Sequence, residues 1–372
     1  MRTLPSVLTY CLLAGYNARA AKHGTIGFGI NMYHPWCCTA CYDSLAAVYL
    51  NCTTFGVALD SGGMGMKYRK RMDMDMSMAG STSDACYASN LPYQQTLAYC
   101  VKTHCDTERV PYTKQNHCFE RLAAGGLPVS YLQDSLPHIA PAEQLSQDAM
   151  WLNKTMLVNE GYWRADRGTI EAFEKSEGWH VRFSIILVTL SVGIPCLCGL
   201  WAYFSTKYGQ QILSVPLVAF LWSNYALLAL LKTRHSHPLP YSIGYVPTRA
   251  MTSWIVVYVI FNLIFNAVPF YSVQPNTWFA NRNQEMAAYV SDRAGVLSFA
   301  NMAIAILFSS RNNPLVYLSN WSYASYLTFH RWVTRIAILL AVVHSIVYTA
   351  DYCYYMGSSS QYAAEATKAY WW

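Results

Sequence analysis

The stretch "FHRWVTRIAILLAVVHSIVY" (329–348) is almost wholly apolar, yet it carries His330 and His344, fourteen positions apart. Imidazole nitrogens need partners that hydrocarbon cannot supply, so ionisable side chains in such a segment mark sites of function or of helix contact. In a helix, fourteen residues rise about 21 Å and complete nearly four turns. Both rings therefore share roughly one face, one near each leaflet. Imidazole is an axial ligand for haem iron, and two stacked haems make an electron path across a bilayer. The competing reading is a hydrogen bond from each ring to a neighbouring helix. Arg331 and Arg335 flank the inner histidine, placed either to pair with haem propionates or to snorkel to the interface. A bis-histidine haem needs a second ligand from another helix. The remaining histidines, His23, His34, His104, His117, His138, His180, His235 and His237, offer none on a second span at matching depth.

A second run could bind metal. "GGMGMKYRKRMDMDMSM" (62–78) places Met72, Met74, Met76 and Met78 at every second position, with Asp73 and Asp75 between them. A strand would set the four methionines on one face. Thioether sulfur is a soft ligand suited to Cu(I), and the pattern is similar to the methionine motifs of copper-uptake transporters. An apolar edge packed on its own domain is the alternative.

The surrounding composition is that of a membrane protein. Of 372 residues, 53% are hydrophobic and 12% charged, with mean hydropathy +0.14. The formal charge of +6 comes without a basic cluster, so nucleic acid is not an expected partner. The opening "MRTLPSVLTYCLLAGYNARAA" has a basic start, an apolar centre and small residues before Ala21, which predicts a signal peptide over 1–20. Residues 21–180 are polar and contain Cys37, Cys38, Cys41, Cys52, Cys86, Cys100, Cys105 and Cys118. An even set in an exported segment predicts disulfides, with zinc at Cys38-x-x-Cys41 as the competitor. Sequons at Asn51 and Asn153 fit the same compartment.

Charge-free runs at 183–204, 251–273 and 294–310, and an apolar run at about 332–350 that carries only Arg335, are long enough to cross a bilayer. A further run, 212–231, contains Pro216 and Asn224. If it crossed, Lys232, Arg234, Arg249, Arg311, Arg331 and Arg335 would all fall outside. The positive-inside rule favours an interfacial or membrane-associated segment instead. Four spans follow, with the N-terminal domain extracellular and residues 351–372 on the same outer side.

Several stretches resemble the fungal ferric reductases, relatives of the NADPH oxidases. They are "HGTIGFGINMYHPWCCTACYDSL" (23–45), "ACYASNLPYQQTLAYCVKTHC" (85–105), "GYVPTRA" (244–250), "DRAGVLSFANMAIAILFSSRNNPL" (292–315) and "WSYASYLTFHRWVTRIAILLAVVHSIVYTA" (321–350). The resemblance implies a mainly α membrane protein: a disulfide-rich extracytoplasmic domain, one extra span, and then a haem-binding helix bundle. Residues 251–350 match the first three helices of that bundle, which makes it incomplete. It further implies a plasma-membrane enzyme that passes electrons from NADPH through FAD and two haems b to extracellular Fe(III) or Cu(II) chelates, alongside iron or copper uptake proteins. By position, His330 would hold the inner haem and His344 the outer. The second histidine pair and the FAD and NADPH domains have no counterpart here. The sequence is therefore expected to be a truncated reductase, inactive alone and without catalytic residues of its own. The alternative is a catalytically inactive membrane protein that binds copper through its Met-rich segment or regulates a full-length reductase. A superoxide-forming oxidase would share the histidines but not the cysteine-rich domain.

Overall fold

In the computed structural model the chain is described at residues 33–55, 80–226, 228–230 and 246–355, with 25–26, 29–30, 238 and 367. The expected signal peptide, the Met-rich run with Met72, Met74, Met76 and Met78, and most of 351–372 lie outside the described residues. The chain divides into two units, 1–175 with 271–282, and 176–270 with 283–372.

Cysteine placement organises the first unit. Helix α1 (Trp36–Leu45) carries Cys37, Cys38 and Cys41, and positions four apart share one helix face. Cys37 bonds Cys105 and Cys41 bonds Cys100, which locks α1 antiparallel to α3 (Leu91–Thr107). Cys38 bonds Cys118 on α4 (Tyr112–Leu122). Cys52 bonds Cys86 on α2 (Asp84–Ser89). All eight cysteines between residues 37 and 118 are thus paired, and the Cys38-x-x-Cys41 spacing serves two different bridges rather than zinc. Three of the bridges are buried among Leu45, Leu97, Val101 and Phe119, whereas Cys52 of the fourth is exposed. Helix starts follow side-chain capping: Ser83 accepts from the Cys86 amide and Asn90 from the Tyr93 amide. Two-residue strands β1 (Thr25–Ile26) and β2 (Gly29–Ile30) pair in parallel, and β3 (Thr54–Phe55) and β4 (Gly80–Ser81) antiparallel.

A long helix, α5 (Glu160–Leu213), contributes its first turns to this unit. Glu174 accepts from the Tyr33 amide at 3.1 Å, from His34 Nδ1 at 3.2 Å and from Trp36 Nε1, tying the start of the unit to that helix. Thr277 Oγ1 donates to Asp166 at 2.6 Å. Asp166 in turn faces Asp43, and burial together with that neighbouring carboxylate pushes the Asp43 carboxyl up to about 8. Its folded pKa lies above the ordinary value, so between about pH 4 and 8 the folded state holds the extra proton and stability falls as pH rises. The melting temperature of the solubilised protein should therefore drop from pH 5 to pH 8. Asp43→Asn should flatten that slope, and an unchanged slope would remove Asp43 as its source.

The second unit holds the apolar helices. Four helices in the described residues are long and apolar enough to cross a membrane: Glu160–Gln211, Arg249–Ala267, Arg282–Ser309 and Tyr323–Cys353. They overlap the four apolar runs, but with different ends: the run 251–273 outlasts its helix, which stops at Ala267. Helix α5 starts well before Phe183, because its early turns are held by ion pairs at helical spacing, Arg164–Glu160, Arg167–Glu171 and Lys175–Glu171. The run at 212–231 breaks into a short helix, α6 (Pro216–Leu221), and a π-turn, Trp222–Ala226. Pro216 suits a helix start. Helix α7 (Arg249–Ala267) stops where Pro269 restricts the preceding residue. Helix α8 (Arg282–Ser309) takes in Asp292 and Arg293, ahead of the run that begins at Ala294. The wholly buried Arg293 guanidinium donates to the Phe265, Val268 and Pro269 carbonyls, satisfying the α7 end. Tyr258 and Asn262 of α7 bond the buried Asn301 of α8 at 2.8 and 2.7 Å, the kind of polar contact that joins helices in lipid. A short α9 (Pro314–Ser319) leads to α10 (Tyr323–Ala350), which Ser322 caps.

Candidate functional site

The two histidines of α10 both reach α8. His330 Nδ1 lies 2.8 Å from the Ala305 carbonyl, and His344 Nδ1 lies 2.8 Å from the Ser291 carbonyl. Ser291 and Ala305 are themselves fourteen residues apart, so the antiparallel helices meet twice in the same way. Midway between, Ser298 Oγ donates to the Ala337 carbonyl at 2.8 Å. The three contacts form rungs seven residues apart on each helix, the repeat of a left-handed helix pair.

These bonds decide the tautomer. A carbonyl oxygen only accepts, so each Nδ1 carries the proton and each Nε2 keeps its lone pair. Such a backbone contact is the usual way a protein orients a metal-binding imidazole and leaves its other nitrogen to coordinate. Both rings are only partly buried. Ser291 adds a second tie, its hydroxyl donating to the His344 carbonyl at 2.9 Å. Gly295 lies beneath the same ring: a Cβ there would sit 2.7 Å from His344 Nδ1. The residues present fit one axial ligand for each of two haems. The competing reading, a hydrogen bond from each ring to a neighbouring helix, holds as well, because the bonds use only Nδ1.

Arg331 is exposed, and the Arg335 guanidinium lies over the Trp332 ring, 4.9 Å from its centroid. Among the other described histidines, His34 and His104 face Glu174 and Glu160 in the first unit. His180, wholly buried in the second unit, lies 3.0 Å from Glu177. Among the described residues, no group of three or more His, Cys, Asp or Glu is placed to hold a metal ion. The α8 partners were missed in the sequence because a serine, a glycine and a main-chain carbonyl carry no signature of ligation. The available signal was the interval itself: Ser291, Ser298 and Ala305 repeat the spacing of His344, Ala337 and His330 in reverse.

Comparison with known proteins points the same way. The model of the family described as "Ferric reductase like transmembrane component" matches residues 294–372. The chain is 32% identical over 176 residues to ferric reductase transmembrane component 4 of Saccharomyces cerevisiae, covering 46% of this chain and 24% of that protein. It is 30% identical over 190 residues to component 3 of the same yeast, covering 50% and 26%. Ferric/cupric reductase transmembrane component 1 of Candida albicans is 35% identical over 108 residues, covering 29% and 14%. The matched part spans about a quarter, or less, of the length of these relatives. No solved structure matches the chain. Both histidines lie inside the segment that the family model covers, and the chain is similar over that segment and beyond it to fungal ferric reductase transmembrane components.

Proposed function

We propose that this chain forms the first part of the transmembrane electron path of a ferric/cupric-chelate reductase, with His330 and His344 each supplying one axial ligand to an inner and an outer haem b. The observation that carries the reading is the paired orientation of the two rings, each with Nδ1 on a carbonyl of α8 and Nε2 left to coordinate. Haem bound there would supply one-electron carriers at two depths. The protein's part is to fix each ligand, to exclude water with the apolar helix faces, and to balance charge. Arg331 and Arg335 flank the inner ligand and can pair with propionates. FAD, NADPH and the second histidine pair would be contributed from outside these 372 residues, and the acceptors would be extracellular Fe(III) or Cu(II) chelates.

The test is haem stoichiometry. His330→Ala and His344→Ala should each remove one of two haems from the membrane-derived protein, measured as haem per polypeptide. Full haem content in both variants would refute the assignment.

The reading includes a topology: four spans in the plasma membrane, the segment 212–231 at the cytoplasmic interface, and the disulfide-rich domain outside. Asn153 is exposed in that domain, whereas Asn320, also exposed and left-handed at φ 59°, follows α9 on the cytoplasmic side. Asn153 should carry glycan and Asn320, in "NWS", should not. Sugar on Asn320 would overturn the four-span arrangement.

A further inference from the structure

The fourteen-residue repeat that makes the two histidine clamps alike also shows where they differ. Four residues after His330 stands Thr334, whose hydroxyl only closes onto its own helix at the His330 carbonyl, 2.8 Å away. Four residues after His344 stands Tyr348, whose ring packs edge-on against the imidazole with centroids 5.0 Å apart at 71°. On α8 the residue after Ala305 is the exposed Ile306. The residue after Ser291 is Asp292, and the Tyr348 hydroxyl donates to its carboxylate. The outer ring is thus held by a carbonyl, a glycine shelf and an aromatic edge, and that edge is itself anchored by a carboxylate. Among the described residues, the inner ring is held by the Ala305 carbonyl.

Charge follows the same asymmetry. Asp292 interacts electrostatically with His344, Glu177 and His180. The adjacent Arg293 donates through Nη1 and Nη2 to the Phe265, Val268 and Pro269 carbonyls at and beyond the end of α7. In a poorly screened helix bundle such a carboxylate acts strongly on charge created nearby. The hydroxyl of Tyr348 partly offsets it by donating a hydrogen bond.

We infer that Asp292 and Tyr348 are positioning residues for the outer histidine, making the two haem ligand positions unequal in ring freedom and in local charge. The inference rests on the haem reading above. Asp292 favours the oxidised outer centre, and the Tyr348 hydroxyl moderates that effect while its ring fixes the imidazole plane.

The two side chains therefore make opposite predictions. Redox titration of the membrane-derived, haem-loaded protein, followed optically and by low-spin EPR, reads each centre separately. His344→Ala identifies the inner signal by leaving it alone. Asp292→Asn should favour reduction of the outer centre about tenfold, which is about +59 mV for one electron. Tyr348→Phe keeps the packing, removes the hydroxyl, and should shift the outer centre the opposite way by a smaller amount. The inner centre should hold its potential in both. An outer potential unchanged in both variants with two haems bound, or shifts of the same sign in both, would reduce the pair to packing and overturn the inference. Should Asp292→Asn fail to take up haem, the sign of the Tyr348→Phe shift decides alone. A wild-type protein without two low-spin haem signals would instead overturn the proposed function itself, and this inference with it.

Discussion

On the proposed haem reading, replacing Gly295 with valine should cut bound haem from two to one, and the lost haem should be the outer. The reason is steric. A Cβ at this position would lie 2.7 Å from His344 Nδ1 and 2.9 Å from Cε1, closer than van der Waals contact permits. The ring cannot yield without giving up the Ser291 carbonyl, 2.8 Å from the same nitrogen. Alanine should weaken outer occupancy and valine abolish it. Helix propensity argues the other way, since alanine is favoured over glycine by about 1 kcal/mol in a helix interior. A loss would therefore report the contact rather than a weaker helix. The inner site, with its clamp at Ala305, should keep its haem. Pyridine-haemochrome content per polypeptide, read with the low-spin EPR signals, measures the outcome. Two haems retained in Gly295→Val would show that His344 is not held as a ligand in this position.

Removing the Cys38–Cys118 bridge should unfold the disulfide-rich unit under conditions where the parent is stable. The bridge joins residues 80 apart in sequence, and a loop of that length constrains the unfolded chain by about 4–5 kcal/mol on the chain-entropy model. That is a large share of the net stability of a typical domain, about 5–15 kcal/mol. Both sulfurs are buried, Cys38 at 1% and Cys118 at 2% exposure, so the double change to serine also leaves hydroxyls where apolar contacts stood. The double variant should lose protease resistance in the Cys-rich unit. Limited proteolysis that matches the parent would show that the other three bridges suffice.

The sequence announced its spans and histidines through periodicity and contrast, because an apolar run free of charge has few other uses. The ends of those helices were less visible. Arg293 reads as the edge of a span, yet it lies inside α8, because the carbonyls it satisfies belong to residues 265–269. Glu160–Lys175 reads as soluble polypeptide, yet it is continuous with the helix that enters the apolar unit, since charge pairs at helical spacing suit helix in water as well as apolar residues do in lipid. The disulfide pairing was closed to sequence reasoning, for eight cysteines admit many connectivities. The Cys37–Cys105 and Cys41–Cys100 pairs become intelligible only once α1 and α3 are known to run antiparallel. The α8 side of the histidine clamps is the same kind of case: main-chain carbonyls have no sequence signal.

The rungs between α8 and α10 behave as a gauge. Helix pitch converts a count of residues into a length, so the axial separation of the two imidazoles is inherited from covalent geometry rather than from loops, lipids or the outer domain. A thicker or thinner bilayer can tilt the pair as a unit without altering that interval. One residue inserted between His330 and His344 turns the second ring by about 100° and lifts it by 1.5 Å, moving it off the Ser291 carbonyl altogether. The device is therefore tolerant of its surroundings and intolerant of insertions, and the fourteen-residue interval is the dimension that a working chain of this design must keep.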